Sequence, residues 1–556
     1  MVSTMTSAPL RASASTSPSF VPSAQQLAFL DWVETGAGSC VLEAVAGAGK
    51  TTTLLEAIDR TGGGVALLAY NKKIADEIKG RLQARGVDWR HAEAGTVHSF
   101  GFRAYRKVYP GVKVSDSKVL DILVASMKSN PIHPLWSYRH EVAQMVGLAK
   151  QRALGILGEI DDEQEWRKTI THFDLFTSLS EDEDGDQESG QESGQESSQE
   201  SSKKSPNLLS LLIAQGQRAL RASNALSEII DFDDMIYLPL IQGLKFWKYR
   251  WVFIDEAQDT NPARRALVRA MLAPGGRVVA VGDRHQAVYG FTGADNDSLD
   301  LIAQDFNAIY MPLTITYRCP RRIVGFAQRW VSHIECAETA PEGSVSVIPY
   351  DALFHFGNLD GTSAILCRNT KPLVKLAFTF IRRGIACAVE GRDIGKGLIA
   401  LATKWKRVKT LSALENALEV YQDQQVQKAL AKKLETKAQS IEDQCETLRV
   451  IISSCRESGT DSISAVVRAI TDIFSDKIEG ILTLSTIHKS KGREWPTVFW
   501  LDRHGTLPSR YARQSWQLQQ ENNLCYVAAT RAMQSLIEVL ADPSEIKTKK
   551  VTHHEE

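Results

Sequence analysis

The amino-acid sequence predicts an α/β fold of parallel sheets flanked by helices, and three observations carry that expectation. A glycine-rich stretch, Glu43-Ala44-Val45-Ala46-Gly47-Ala48-Gly49-Lys50-Thr51-Thr52, stands between the apolar run Cys40-Val41-Leu42 and a helix-like run over 51–59. Short apolar runs then alternate with helical patterns as far as about residue 300. A second series of the same kind follows, with strands expected at 344–348, 364–366, 386–389, 481–484, 497–500 and 536–540.

Taken in order, residues 1–20 are rich in Ser, Thr, Ala and Pro and lack the apolar core of a secretory signal, so a disordered tail is expected there. Order begins near Val21, with a helix over 27–33 and Gln26 placed where an amide can read an adenine edge. The glycine stretch that follows turns backbone N–H groups and a helix N-terminus toward a phosphate chain. Gly47 and Gly49 permit close approach, Lys50 reaches the β and γ phosphates, and the Thr51 hydroxyl is placed to hold Mg²⁺. A buried strand at 64–70 ends in Asn71-Lys72-Lys73, and another short strand ends in the polar turn Thr96-Val97-His98-Ser99.

From about 105 to 225 the pattern is mostly helical, interrupted by an acidic run and four Gln-Glu-Ser units that cannot bury a core. The chain then returns to the first unit through 229–235. The run 249–254 ends in Asp255 and Glu256, and a strand C-terminus beside a phosphate loop is where an open parallel sheet binds ligands. There one carboxylate can hold Mg²⁺ while the other orients and deprotonates a water for attack on a γ phosphate. A further strand, 277–283, runs into Gln286, which can sense that phosphate, and then into Tyr289 and Phe291, which suit stacking on unpaired bases. Arg318 and Arg531, far along the chain from Lys50, are candidate arginine fingers.

Composition narrows the partners. The 556 residues suffice for about three to four structural units, and 43% hydrophobic with 24% charged residues is ordinary for a globular protein. The net charge of −1 conceals nine acids and no base in 181–202, without which the chain stands at +8, compatible with a phosphate-backbone partner. The eight cysteines form no CxxC pair, which argues against zinc or iron–sulfur sites and for buried thiols in a reducing compartment. No run approaches the length of a transmembrane span.

In order, Gln26, AVAGAGKT, AYNKK, TVHSFG, DEAQDTNP, VGDRHQAVYGFTGA, TYRCP, ILCRN, STIHKSKGREW and YVAATRA resemble the motifs of the superfamily 1 DNA helicases of the UvrD, Rep and PcrA type. The wording is most similar to the helicase core of F-box DNA helicases. The resemblance spans about 21–540, and Ala44, at a position where the strict phosphate-loop pattern has Gly, also occurs in UvrD-type loops.

The resemblance implies two RecA-like P-loop NTPase domains, each with a mostly helical insertion, and ATP with Mg²⁺ as cofactors. On that reading domain 1A comprises 21–104 and 226–299, insertion 1B is 105–225 with a disordered acidic repeat at 181–205, domain 2A comprises 300–397 and 479–543, a reduced insertion 2B is 398–478, and 544–556 is a flexible tail. It implies ATP contacts from Gln26, Ala46, Gly47, Ala48, Gly49, Lys50, Thr51, Thr52, Tyr317, Arg318, Glu494 and Arg531. Asp255 joins Thr51 on the metal, Glu256 is the catalytic base, and Gln286 with both arginines contacts the γ phosphate. Asn71, Lys72, Thr96, His98, Ser99, Tyr289, Phe291, Arg368, Thr486 and His488 line the DNA strand. The implied activity is 3′ to 5′ helicase or translocase action on single-stranded and tailed duplex DNA, in DNA repair, recombination or replication. A monomeric core is expected in a reducing intracellular compartment that holds DNA, with recombinase or replication proteins as open candidates for partners.

Three departures bear on the expectation. The insertion at 398–478 is short, Ala69 stands where relatives carry an aromatic with Tyr70 shifted by one, and the 25 residues after Arg531 contain no Tyr or Phe. The strand-splitting hairpin of larger relatives is therefore expected to be missing or altered. Two alternatives stay open: a translocase that clears recombinase filaments with little unwinding, and a non-hydrolysing nucleic-acid-binding scaffold.

Overall fold

The architecture comes from a computed structural model, which describes residues 21–128, 133–173, 175–176, 208–288, 297–357, 359–431, 435–474 and 480–543. The expected tails, the acidic repeat at 181–205, Tyr289 and Phe291 lie outside the described residues.

Sixteen strands occur among them: β1 (Ser39–Ala44), β2 (Val65–Ala69), β3 (Ala92–Thr96), β4 (Lys113–Val114), β5 (Ile229–Ile230), β6 (Tyr249–Ile254), β7 (Leu272–Gly282), β8 (Ala308–Leu313), β9 (Ile315–Thr316), β10 (Glu335–Cys336), β11 (Ser344–Ile348), β12 (Ser363–Cys367), β13 (Cys387–Val389), β14 (Leu482–Thr486), β15 (Trp495–Leu501) and β16 (Ala532–Val539). Six form a sheet in the order β3-β2-β6-β7-β1-β8, and six form another in the order β11-β16-β15-β12-β14-β13. Every pairing in both is parallel. The runs are apolar without alternation because helices cover both faces, as in β2, where all five residues are buried.

The strand after residue 300 corrects one boundary. Residues 300–313 read as the start of the second unit, yet β8 pairs with β1 along its whole length, from Ser39 opposite Ala308 to Ala44 opposite Leu313. The sequence signal is weak because β8 is an edge strand with only Leu313 fully buried. The return at 229–235 is also displaced. β5 pairs with β4, and Met235, Tyr237 and Leu238 of the next helix, Asp234–Ile241, pack with Tyr105, Met145, Trp166 and Leu212 in the core of the helical block.

That block consists of helices Lys118–Met127, Arg139–Gln151, Glu163–His172 and Leu208–Ala225 with Asp234–Ile241. Its centre holds charge. Lys118 Nζ donates to Asp234 at 2.7 Å, and Lys150 Nζ lies 2.5 Å from Asp231 and 2.7 Å from Asp234, with both lysine side chains and Asp234 fully buried. Burial and Asp231 together push the neighbouring Asp233 carboxyl up to about 6.

The segment expected as an insertion at 398–478 forms helices Arg392–Ala402, Leu411–Ala431, Glu435–Glu457 and Ile463–Ile473. Leu398, Leu448 and Ile470 share one core with Ile365, Phe380 and Leu484 of the second sheet layer. A separate core joins the two sheets: Leu42, Val279 and Val281 of the first are continuous with Trp495, Val498 and Trp500 of the second through Leu524, Tyr526 and Val527. Among the described residues no helix is long and apolar enough to cross a membrane.

Removing one cation from the buried cluster strands a carboxylate. Lys150→Met is expected to destabilise the protein by about 3–5 kcal/mol, read as a fall in the urea unfolding midpoint.

Candidate functional site

The glycine stretch is shaped by its neighbours. Past β1, Val45 N–H donates to the Leu313 carbonyl at 2.9 Å, and Ala46 N–H donates to the Tyr526 hydroxyl at 2.9 Å. Ala48 N–H donates back to the Val45 carbonyl at 3.3 Å. Gly47 and Gly49 hold φ of +73° and +77°. Tyr317 N–H donates to the Gly47 carbonyl at 2.9 Å, and a Cβ on Gly47 would lie 2.5 Å from Arg318 Cβ and 2.6 Å from Thr316 Oγ1. Helix Lys50–Ile58 begins at Gly49 with no side-chain cap, so the N–H groups of its first turn remain available to an anion.

Gln26 is buried under this loop. Its amide nitrogen donates to Thr53 Oγ1 at 2.9 Å and to the Ala48 carbonyl at 3.4 Å, while its amide oxygen accepts the Ser23 N–H in a capping box that starts helix Ala24–Thr35. Both ends of the amide are thus engaged within the protein. The expected helix at 27–33 is longer for the same reason, since Ser23 and Gln26 cap a turn that precedes the apolar run.

The carboxylates stand at the end of β6. The Thr51 hydroxyl donates to Asp255 at 3.2 Å, and Asp255 also accepts the Glu256 N–H at 3.0 Å. Glu256 takes the left-handed conformation, φ +53°. Burial, then Glu256, raise the Asp255 carboxyl above its ordinary range. Burial opposes ionisation of Glu256 too, but Lys50, Lys491, the Gln258 amide and Arg531 outweigh it and hold the group low. A buried carboxylate beside a hydroxyl is a hard-oxygen set that fits Mg²⁺.

The second sheet reaches this site with its amino edge. Arg531 immediately precedes β16 and is 1% exposed. Its guanidinium donates to Gln286 Oε1 at 3.3 Å, to the Val527 carbonyl at 3.1 Å and to the Arg493 carbonyl at 3.1 Å. Burial and Arg318 lower its pKa to about 10. Arg318 pairs with Glu494 at 2.5 Å and reaches the Thr530 carbonyl at 3.4 Å. Tyr317 is half exposed on the rim, and Thr52 is half buried in the first turn of helix Lys50–Ile58. Gln286 also donates to Asp283 at 2.7 Å.

The remaining expected residues gather on two carboxyl edges. Asn71 and Thr96 close β2 and β3 and cap the following helices, Lys72–Ala84 and Val97–Val108, by accepting the N–H groups of Ile74 and Ser99. The Ser99 hydroxyl donates to the Thr96 carbonyl at 2.7 Å, and Lys72 is exposed. Burial, then Arg264, bring His98 down to about 4, and its ring meets the exposed Phe232 edge-on at 5.9 Å. On the second sheet Arg368 follows β12 and binds Glu521 at 2.9 Å. Thr486 ends β14 and accepts the Lys489 N–H, while burial, then Arg368, lower the His488 pKa well below the ordinary value.

Several contributors were not singled out by sequence. Lys491 donates to Asp259 at 2.6 Å and to the Gln286 carbonyl at 2.8 Å, so it spans the two sheets' loops. Asn523 donates to the Ala287 carbonyl at 2.8 Å. Asn523, Tyr526, Val527 and Thr530 follow i, i+3, i+4, i+7 spacing from helix Ser515–Ala529 into its C-cap, and the three polar groups on that buried face were the available signal.

Tyr526→Phe removes the acceptor for the buried Ala46 N–H. It is expected to destabilise the nucleotide-free protein by about 1–3 kcal/mol, seen as a lower thermal midpoint with the secondary structure unchanged.

Comparison with known proteins agrees with this architecture. The UvrD/REP helicase N-terminal domain family matches residues 27–307, and the UvrD-like helicase C-terminal domain family matches residues 168–541. The chain is similar to the ATP-dependent DNA helicase Rep of Salmonella typhimurium, 26% identical over 320 residues, 52% of this chain and 41% of that protein. It is similar to Rep of Escherichia coli, 36% identical over 105 residues, 17% of this chain and 16% of that protein. It is also similar to the ATP-dependent DNA helicase PcrA of Staphylococcus epidermidis, 27% identical over 143 residues, 24% of this chain and 19% of that protein. In each case the match spans less than half the length of the relative.

Proposed function

This chain belongs to the UvrD/Rep family of DNA helicases, and from that premise we propose that it is an ATP-dependent motor that moves 3′ to 5′ on single-stranded DNA. The observation that carries the reading is the convergence of Lys50, Asp255 and Glu256 on the first sheet with Arg318, on the segment that leaves that sheet through β9, and Arg531 at the amino edge of the second. Two bodies sharing one phosphate site convert hydrolysis into relative movement. The domain partition we propose follows the sequence reading, with 300–313 moved to the first RecA-like unit on the pairing of β8 with β1, and 229–241 moved to the helical block on the pairing of β5 with β4 and the packing of helix Asp234–Ile241.

Lys50 and the N–H groups of 47–51 are assigned to the β and γ phosphates, and Thr51 with Asp255 to Mg²⁺, which supplies charge neutralisation when bound. Glu256, kept ionised by the cations around it, takes the proton of the attacking water. Gln286, Arg318 and Arg531 are assigned to the γ phosphate, Tyr317 to the adenine face, Glu494 to the ribose and Gln26 to the adenine edge. These roles require two exchanges. Arg318 must trade its Glu494 partner for phosphate, and Gln26 must release Thr53 or Ser23 to bind a base. The strand is assigned to the two carboxyl edges, at Asn71, Lys72, Thr96, His98 and Ser99 on one side and Arg368, Thr486 and His488 on the other.

A second reading, translocation that clears recombinase filaments with little unwinding, is supported by the helices of 392–473. They share the core of the second sheet and so lack the independence of a mobile accessory domain. Strand displacement on a tailed duplex, measured beside clearance of a recombinase filament, separates the two. Work in DNA repair, recombination or replication, inside a reducing compartment, fits either reading, and six of the eight free cysteines are buried.

Lys50→Ala and Glu256→Gln are each expected to lower DNA-stimulated ATP hydrolysis by at least about 100-fold, with folding retained. Near-normal turnover in either variant would sink the assignment.

A further inference from the structure

The turn Arg284–Gln286, which carries Gln286 off the end of β7, is held from two sides. Its own body fixes it through side chains. Asp283 accepts the His285 N–H at 3.0 Å and the Gln286 side-chain amide at 2.7 Å, while Arg284 pairs with Glu43 of β1 and reaches Asp300 at 3.2 Å. The second body holds the same turn by its backbone. Asn523 Nδ2 donates to the Ala287 carbonyl at 2.8 Å and to the Arg284 carbonyl at 3.4 Å. Lys491 Nζ donates to the Gln286 carbonyl at 2.8 Å.

The Asn523 amide is oriented for these contacts. Its oxygen accepts the Gln519 amide, one turn earlier in helix Ser515–Ala529, at 3.1 Å, which leaves the nitrogen to face the turn. The side chain is buried, so a replacement without a donor takes a hydrogen bond from a carbonyl that water reaches poorly. The same helix makes two further polar contacts. Glu521 holds the Arg368 guanidinium at 2.9 Å, and the Tyr526 hydroxyl accepts the Ala46 N–H of the phosphate loop at 2.9 Å. These residues lie within a turn and a half of one hydrogen-bonded helix, so the three contacts shift together.

We infer that Asn523 is a positioning residue for ATP hydrolysis: by gripping the carbonyls of Arg284 and Ala287 on either side of Gln286, it sets where the Gln286 amide points. Asn523 is assigned to neither nucleotide nor strand, and it acts only through the turn. Gln286 itself meets Arg531 at 3.3 Å, so a turn released from Asn523 loses its register against the group with which it shares the phosphate. The inference rests on the assignment of Gln286 to the γ phosphate and adds the residue that holds it there.

The test is a double-mutant cycle on the full chain with Asn523→Ala, Gln286→Ala and the pair, each checked by thermal melting. Asn523→Ser, which keeps one donor, runs beside them and replaces Asn523→Ala in the cycle if that variant melts too low to assay. ATP hydrolysis is titrated with ATP at saturating oligo-dT. Asn523→Ala is expected to lower kcat about 10-fold with the KM for ATP within about twofold, and Asn523→Ser to recover part of the loss. The pair is expected to turn over no more slowly than Gln286→Ala alone, because Asn523 acts through a group already removed. Backbone hydrogen exchange is expected to quicken at 284–288 in Asn523→Ala and to match wild type in helix Lys50–Ile58. A kcat within about twofold of wild type overturns the inference, as do losses that multiply in the pair, which mark a packing role. If Gln286→Ala hydrolyses ATP like wild type, the assignment of Gln286 fails; the exchange measurement then decides the grip alone, and unchanged exchange at 284–288 overturns it.

Discussion

The contact on which the site depends is the seat of the phosphate loop against the Thr316–Arg318 turn. Gly47 gives its carbonyl to the Tyr317 N–H and has no room for a side chain, because the Arg318 and Thr316 side chains already fill that space. Ala46 is held on the other side by Tyr526. The loop is therefore gripped between the segment leaving the first sheet and a helix packed on the second. Its shape cannot be independent of how the two bodies sit, so phosphate geometry and interdomain geometry are one variable.

The second sheet is used from both ends. Its amino edge carries Arg531 ahead of β16 and Glu494 ahead of β15 to the side assigned to the nucleotide. Its carboxyl edge carries Arg368 after β12 and Thr486 and His488 at the end of β14 to the side assigned to the strand. A six-stranded parallel sheet with packed faces is stiff, so displacement at one edge appears at the other. The first sheet carries both sets of assigned residues along one carboxyl edge, with Lys50 and Glu256 near its centre and Asn71 and Thr96 toward β3. Lys491 ties these arrangements together through Asp259 and the Gln286 backbone.

Charge is handled differently in two of the places where it is buried. In the helical block Lys118 and Lys150 neutralise Asp231 and Asp234 directly, at distances of 2.5–2.7 Å, and the group serves packing. At the site Asp255 keeps a raised pKa, Arg531 a lowered one, and Arg318 is paired with the half-exposed Glu494. Such imperfect compensation is what a site has when a polyanion is expected to complete it.

Much of this was legible in the residues themselves. Local chemistry dictates the phosphate loop, because positive φ at Gly47 and Gly49 and the lysine at a helix start are properties of a dozen consecutive residues. It likewise dictates the carboxylate pair after an apolar strand, and buried parallel strands betray themselves as unbroken apolar runs. What the sequence could not disclose is set by residues hundreds of positions apart. The membership of β8 in the first sheet follows from pairing with β1, the commitment of Gln26 to Thr53 from helix packing, and the roles of Lys491 and Tyr526 from the approach of the second body. Sequence by itself determined the family, the fold class and the residues proposed for the nucleotide site; tertiary structure decided which of them touch. The physical reason is that phosphate loops and strands are specified by local backbone and burial preferences, whereas a shared cleft exists only once two separately folded sheets have packed into one core.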